Sequence, residues 1–115
     1  MPGKEAVELF LSQFLCKMSI YGIVFRNDRL KNQLALKDLD ITPLFRLELI
    51  KRLAVSDYSA GPIVDSINHG EEMWVFGKDV RGRQVYIKIT LGFPDDSVIC
   101  ISFHIAEHPM EYPFK

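Results

Sequence analysis

The fold is decided by residues 72–104, EMWVFGKDVRGRQVYIKITLGFPDDSVICISFH. Three runs rich in β-branched and aromatic residues are separated by two short links, RGRQ at 81–84 and GFPDD at 92–96. Such runs are typical of strands, and Gly82 supplies the positive φ that a tight hairpin turn needs. Because both links are short, the stretch predicts a three-stranded antiparallel meander.

The middle run separates apolar from polar side chains, because successive residues of a strand point to opposite faces. The third run ends at His104, where the chain leaves the sheet. We therefore expect a phenol, an ammonium and an imidazole close together on one face, and we predict the active site there. One face takes Val85, Ile87, Ile89 and Leu91, and the other takes Tyr86, Lys88 and Thr90.

The residues before the sheet predict helices. Apolar residues recur with helical spacing over 4–18, and Gly22 ends that unit. Thr42-Pro43 marks the start of a helix that runs from Leu44 to about Leu53, since threonine can cap and proline suits the first helical position. Helices followed by a meander predict an α+β domain, with two or three N-terminal helices packed on one face of a small antiparallel sheet.

The segments between these elements carry weaker patterns. IVFR at 23–26 predicts a short edge strand, and Asn27-Asp28 offers capping groups for a helix that begins near Arg29. IVDSINHGE at 63–71 has no clean period and is predicted to be a loop, with His69 solvated in it. In the helix near Arg29 we expect Leu30, Leu34 and Leu39 to face inward and Lys31, Asn32, Lys37 and Asp38 to face solvent.

The composition is that of one globular domain covering 1–115. Hydrophobic residues make up 48% and charged residues 25% of the chain, which is enough for a core without disulfides. No apolar run approaches the ~20 residues of a membrane span, and the N-terminus lacks a signal-peptide pattern, so we expect a cytoplasmic location. Cys16 and Cys100 are predicted to be reduced and buried, without metal-ligand spacing.

Two stretches, VYIKIT at 85–90 and ISF at 101–103, carry a resemblance that covers nearly the whole chain. Weaker matches are GIVFR at 22–26, the Thr42-Pro43 helix, SDY at 56–58 and MWV at 73–75. In this pattern the chain resembles the motility quorum-sensing regulator (MqsR) toxin family, within the RelE-like ribonuclease superfamily. The resemblance implies a RelE-like two-layer domain, which agrees with the α+β class.

Members of that family are toxins of type II toxin–antitoxin pairs that cleave mRNA without a metal and are silenced by an antitoxin encoded beside them. The resemblance thus implies mRNA and a cognate antitoxin as partners, and no cofactor, metal or membrane. The family's catalytic tyrosine falls on Tyr86. Its C-terminal lysine falls on His104, although other RelE-like nucleases use a histidine near this strand end. The family's glutamine and a further lysine fall on Val75 and Ala60-Gly61, which are apolar here.

Metal-free RNA cleavage by the ribose 2′-OH needs a base, positive charge for the crowded phosphorane, and an acid for the leaving 5′ oxygen. We predict that His104 transfers the proton, because imidazole is the side chain that titrates near neutral pH. Tyr86 is expected to hydrogen-bond the phosphate or stack on a base. The predicted cationic contacts are Lys88 and Lys78 for the phosphate charge, and Arg81 and Arg83 for the RNA backbone.

Other interpretations stay open. The net charge of −1 and the missing basic positions favour a non-catalytic binding module, or an inactive toxin that retains only partner binding. A small-molecule domain would be supported by a pocket walled by Tyr112 and Phe114. The remaining candidates have structural interpretations: Trp74 and Phe76 are core rather than a stacking platform, Asp95 and Asp96 form a turn, and His108 is structural or joins His104 as an acid–base pair.

Overall fold

A computed structural model describes residues 2–65 and 71–115, so the predicted role of His69 lies outside the described residues. Within this part of the chain there are three α-helices, one 3₁₀ turn and five strands, which is the predicted α+β class. In chain order the elements are α1 (Lys4–Tyr21), β1 (Ile23–Phe25), α2 (Leu30–Leu39), α3 (Pro43–Lys51), the 3₁₀ turn (Val55–Asp57), β2 (Tyr58–Asp65), β3 (Glu71–Val80), β4 (Arg83–Thr90) and β5 (Val98–Ile105).

The five strands form one sheet in the order β1-β5-β4-β3-β2. The predicted meander is confirmed, since β3, β4 and β5 pair antiparallel in sequence order. Arg81 and Gly82 both have positive φ, 52° and 77°, and form the two-residue turn between β3 and β4. The short strand β1 lies at the edge, as predicted, and pairs parallel with β5.

One face of the sheet is covered by α1, whose inward side chains meet those of β3, β4 and β5 in the core. Phe10 stacks on Trp74 with ring centroids 4.7 Å apart. Trp74 and Phe76 are 6% and 0% exposed, so neither is a platform for RNA bases, and their prediction as core residues is confirmed. Cys100 is buried as predicted. The prediction for Cys16 is wrong, because α1 turns it to solvent, away from its buried stripe.

Helix α2 is rotated relative to the predicted orientation. Its buried residues are Asn32, Ala35 and Leu39, whereas Leu30 and Leu34 are exposed. Arg29 is the N-cap residue and no side chain caps the helix, so capping by Asn27-Asp28 is also wrong. Helix α3 fits its prediction better, because Thr42 Oγ1 accepts the Phe45 N–H at 3.1 Å with proline in the first turn.

Burial of Asn32 has a specific cause at the edge of the sheet. Its Nδ2 donates to the carbonyls of Ile101 (2.8 Å) and Arg26 (3.1 Å), and its Oδ1 accepts the N–H of Phe103 at 3.1 Å. Ile101 and Phe103 belong to β5 just beyond the residues that β1 pairs with. One side-chain amide therefore takes the place of a strand where β1 has ended, and it fixes the start of α2 beside the sheet.

Strand β2 was not predicted, and the loop predicted at 63–71 is wrong at 63–65, which belong to β2, and at 71, where β3 begins. It pairs antiparallel with β3 at the other edge of the sheet, with irregular register between Tyr58 and Ala60 and between Ala60 and Ile63. The Gly61-Pro62 pair, a break by sequence pattern, lies inside it as a cis peptide, with Gly61 at a φ of 111°. An edge strand tolerates both residues because one of its sides needs no ladder hydrogen bonds.

The residues after β5 form a tail that crosses the sheet. Ala106 N–H donates to the Gln84 carbonyl at 2.8 Å, and Met110 N–H donates to Gln84 Oε1 at 3.1 Å. Further along, Tyr112 packs over Gly77, and Phe114 stacks on Tyr58 with centroids 5.4 Å apart. Met110, Tyr112 and Phe114 therefore hold the tail against the sheet. None of the described helices is long and apolar enough to cross a membrane.

Candidate functional site

The sheet face opposite α1 carries a groove of about 910 Å³, which we call the sheet groove. Its floor comes from β3, β4 and β5, and its walls come from the first turn of α2, from β2 and from the tail at 107–111. The floor residues are Val75, Tyr86, Lys88, Ser102 and His104, and the wall residues are Arg29, Leu30, Lys31, Ser59, Ala60, Ile63, Glu107, His108, Pro109, Met110 and Glu111.

The three side chains predicted to be catalytic all line this groove. Tyr86 and His104 are direct partners across β4 and β5, and their rings stack with centroids 5.2 Å apart and planes 16° apart. Lys88 lies two residues further along β4, opposite Ser102. Alternation along two paired strands is thus sufficient to bring the phenol, the ammonium and the imidazole together, as the sequence predicted.

Hydrogen bonding orients the ring of His104. Its Nδ1 lies 2.9 Å from the carbonyl oxygen of Ile105. A carbonyl only accepts, so Nδ1 is the donor, and the neutral ring carries its lone pair on Nε2. This is the tautomer that a general base needs, in a ring held on one side by Tyr86 and on the other by the backbone.

Tyr86 and Arg29 meet in the same part of the groove. Burial raises the pKa of Tyr86 above the usual value of a phenol, and the positive charge of Arg29 opposes this shift. The phenol therefore stays protonated at neutral pH and can donate a hydrogen bond. Arg29 is a site residue that the sequence did not reveal, because the position of α2 depends on the long-range contacts of Asn32 with β5.

The tail and α2 are joined over the groove by an ion pair between Lys31 and Glu107. The hydrogen bond and charge of Lys31 hold the pKa of Glu107 below its usual range, and His104 and His108 contribute less in the same direction. His108 is exposed and lines the groove. Of its two predicted roles, a group available for chemistry fits this position better than a packed structural residue.

Three of the predicted cationic contacts lie elsewhere. Lys78 is on the α1 side of the sheet with Phe76, where its Nζ is 2.7 Å from Asp57 Oδ2 and donates to the Arg52 carbonyl at 3.1 Å. Arg81 and Arg83 lie at the exposed hairpin tip and do not line the groove. The tail is bound to Gln84, the residue that follows Arg83 in β4.

The other predictions for this region have clear outcomes. Asp95 and Asp96 are turn residues as predicted: Asp95 has a φ of 59° and accepts the Tyr21 hydroxyl at 3.0 Å, and Asp96 accepts the Ser97 N–H. Across residues 2–65 and 71–115, no cluster of three or more His, Cys, Asp or Glu side chains is arranged for a metal ion. Tyr112 and Phe114 do not line the sheet groove, so this groove does not supply the support expected for a small-molecule domain.

Comparison with known proteins identifies no relative: no family model, curated protein or solved structure matches the chain. The chemistry of the groove therefore follows from its own side chains. A neutral imidazole accepts a proton, a protonated phenol donates a hydrogen bond, and an arginine and a lysine attract an anion. This combination suits proton transfer at a bound phosphate.

Proposed function

We propose that this protein is a metal-independent endoribonuclease that cleaves mRNA through the ribose 2′-OH, and that it is the toxin of a type II toxin–antitoxin pair. One observation carries the proposal: Tyr86, Lys88 and His104 lie side by side on an open sheet face, with His104 Nδ1 engaged by a carbonyl. That arrangement offers a base, a hydrogen-bond donor and a cation to the same phosphodiester.

In the proposed mechanism, Nε2 of His104 takes the proton of the 2′-OH, which then attacks the neighbouring phosphorus. Lys88 and Arg29 offset the charge that develops on the phosphorane. Tyr86 donates a hydrogen bond to a phosphate oxygen, which its protonated state allows. Positioned proton transfer of this kind contributes about 10²–10⁴-fold in rate.

The resemblance found in the sequence supports the same proposal. The positions that correspond to the family's functional residues, Ala60, Val75, Tyr86 and His104, all line the sheet groove. A cognate antitoxin that covers this groove, and a cytoplasmic location with mRNA as substrate, belong to the proposal as well. No step in the mechanism requires a metal or a cofactor.

The deciding experiment measures cleavage of single-stranded RNA by the purified protein in the presence of EDTA. We expect His104→Ala to lower the cleavage rate by about 10²–10⁴-fold and to abolish growth inhibition on expression, with the melting temperature within a few degrees of wild type. Arg83→Ala, a basic residue outside the groove, is the matched control and should cleave normally. Undiminished toxicity of His104→Ala would remove this side chain from the mechanism.

Binding is measured separately with a 2′-O-methyl RNA that cannot be cleaved. Each phosphate contact to a single strand contributes about 0.7 to the slope of log K against log salt. We expect Arg29→Ala and Lys88→Ala each to reduce the slope by about 0.7, whereas Lys37→Ala, at the far end of α2, leaves it unchanged. Binding that does not depend on salt would contradict the phosphate contacts.

The second candidate function is a non-catalytic module that binds RNA or a partner protein through the same face. It is favoured by the charge in the groove, where three of the four predicted cations are not found and Glu107 and Glu111 offset part of the charge of Arg29, Lys31 and Lys88. A wild-type protein that binds the 2′-O-methyl RNA or its antitoxin, yet releases no cleavage product, would establish this alternative.

A further inference from the structure

The proposed cleavage needs a second proton carrier. When the 2′ oxygen attacks phosphorus, the 5′ oxygen leaves as an alkoxide unless an acid protonates it. The carrier must hold a proton at neutral pH and release it readily, so the best acid titrates near the working pH. His104 cannot serve both steps at once, because as the base it starts without a proton on Nε2.

Most polar groups of the groove do not meet this requirement. Burial raises the pKa of Tyr86, so this phenol holds its proton more tightly than an ordinary tyrosine. The pKa of Glu107 is lowered by Lys31, so this carboxyl has no proton to give at neutral pH. Ammonium and guanidinium groups in general release protons only in strong alkali. Among the described residues that line the groove, one further imidazole remains, that of His108.

The position of His108 fits the role. It lies in the tail, four residues after His104, exposed on the wall of the groove whose floor holds His104. Pro109 restricts the backbone of His108 to extended conformations, which limits the positions that the imidazole ring can reach. The charged or titratable groups that line the groove with it are Arg29, Lys31, Tyr86, Lys88, His104, Glu107 and Glu111.

We propose that His108 is the general acid of the cleavage, paired with His104 as the general base. This inference rests on the proposed function and assigns the second proton of the same reaction. The 2′ oxygen bonds to phosphorus as the bond from phosphorus to the 5′ oxygen breaks. His104 Nε2 takes the 2′ proton, and the imidazolium of His108 gives its proton to the 5′ oxygen. The products are a 2′,3′-cyclic phosphate and a 5′-hydroxyl end, and both rings regain their starting states by proton exchange with water.

The test uses two RNA substrates that differ in one atom. In the first, the 5′ bridging atom at the cleaved bond is oxygen; in the second it is sulfur, which leaves as a thiolate without needing a proton. We expect His108→Ala to slow cleavage of the oxygen substrate by about 10²–10⁴-fold and to cleave the sulfur substrate at a rate close to wild type. His104→Ala should be slow on both substrates, because the base is needed in either case.

The pH dependence gives an independent readout. Wild type should show a bell-shaped profile of kcat/KM on the oxygen substrate, since one imidazole must be neutral and the other protonated. His108→Ala should lose the fall at high pH, and His104→Ala should lose the fall at low pH. A residue with only a structural role would lower the whole curve without removing either limb.

The possible failures are distinguishable. The inference would be overturned if His108→Ala lost the same factor in rate on both substrates, or if it cleaved at the wild-type rate. In either case the proposed nuclease activity would still stand, provided that His104→Ala is defective. A wild-type protein that cleaves neither substrate would overturn the proposed function, and the general acid with it.

Discussion

Replacing Asn32 tests how the start of α2 is held over the groove. We expect Asn32→Leu, which keeps most of the side-chain volume, to lower the free energy of unfolding by about 3 kcal/mol, since three hydrogen bonds at about 1 kcal/mol each are lost. The side chain is 5% exposed, so water cannot easily replace it as a partner of the Ile101 carbonyl and the Phe103 N–H. This is a large part of the roughly 5–15 kcal/mol that stabilises an ordinary domain.

The assay is denaturation in urea, with the free energy extrapolated to water for wild type and each variant. Gln33→Ala is the matched control, because the neighbouring amide also donates to a backbone carbonyl, that of Asn27, but at the surface. We expect that control to change stability by less than about 0.5 kcal/mol. A loss below about 1 kcal/mol for Asn32→Leu would refute the view that its amide replaces a strand.

Asn32→Asp gives a second measure of the same geometry. One carboxylate oxygen still accepts the Phe103 N–H, but the other faces the carbonyls of Ile101 and Arg26, to which Nδ2 donates in the wild type. Repulsion between these oxygens should raise the pKa of the new carboxyl in the folded state above its value in the unfolded chain. The variant is therefore expected to regain stability as the pH falls through that raised pKa, relative to wild type at each pH.

Two further predictions concern the core and the tail. Burial raises the pKa of the Cys100 thiol from 9.0 to about 12. Between these pH values the folded state keeps a proton that the unfolded state loses. The free energy of unfolding should therefore fall from pH 9 towards 12, by up to about 1.4 kcal/mol per pH unit. In urea denaturation across this range, Cys100→Ala should remove that contribution and Cys16→Ala, at an exposed site, should keep it; equal slopes would contradict the assignment. A Cβ at Gly77 would lie 2.8 Å from Tyr112 Cε1 and 2.9 Å from Met110 Sδ, so Gly77→Ala should displace the tail and speed hydrogen exchange at the Met110 amide. Unchanged exchange there would show that the tail accommodates the methyl group.

The sheet and its open face were predictable because their signals are local. Apolar and polar side chains alternate along the strands, and Gly82 and the link at 92–96 interrupt this alternation. Together these signals determine the strand order of the meander and the side of the sheet on which each residue lies. The same rule applied to β3 puts Lys78 on the side of Trp74 and Phe76, away from Tyr86. Its misplacement at the site was thus an error of interpretation, and the signal that could have prevented it is in the sequence.

The orientation of α2 could not be predicted from the pattern of its own residues. Leu30 and Leu34 are more hydrophobic than Asn32. Asn32 is nevertheless buried, because β5 offers it a carbonyl and an N–H that are not paired with a neighbouring strand. That partner is about seventy residues away in the chain. Strand β2 was missed for a related reason, since a Gly-Pro break is compatible with a strand only at an edge, and edges are defined by the assembled sheet.

The candidate site follows the same division between local and long-range determinants. Tyr86, Lys88 and His104 stand on paired strands, where the backbone ladder fixes their spacing. Arg29 and His108 stand on the start of α2 and on the tail, which meet through the exposed pair Lys31–Glu107. Exposed ion pairs contribute little to stability, so the contact between the two walls is weak, although Asn32 anchors α2 and Gln84 anchors the tail. For the proposed nuclease this division would suit the two tasks, because a base needs close alignment with its substrate whereas an RNA strand would have to enter and leave between the walls.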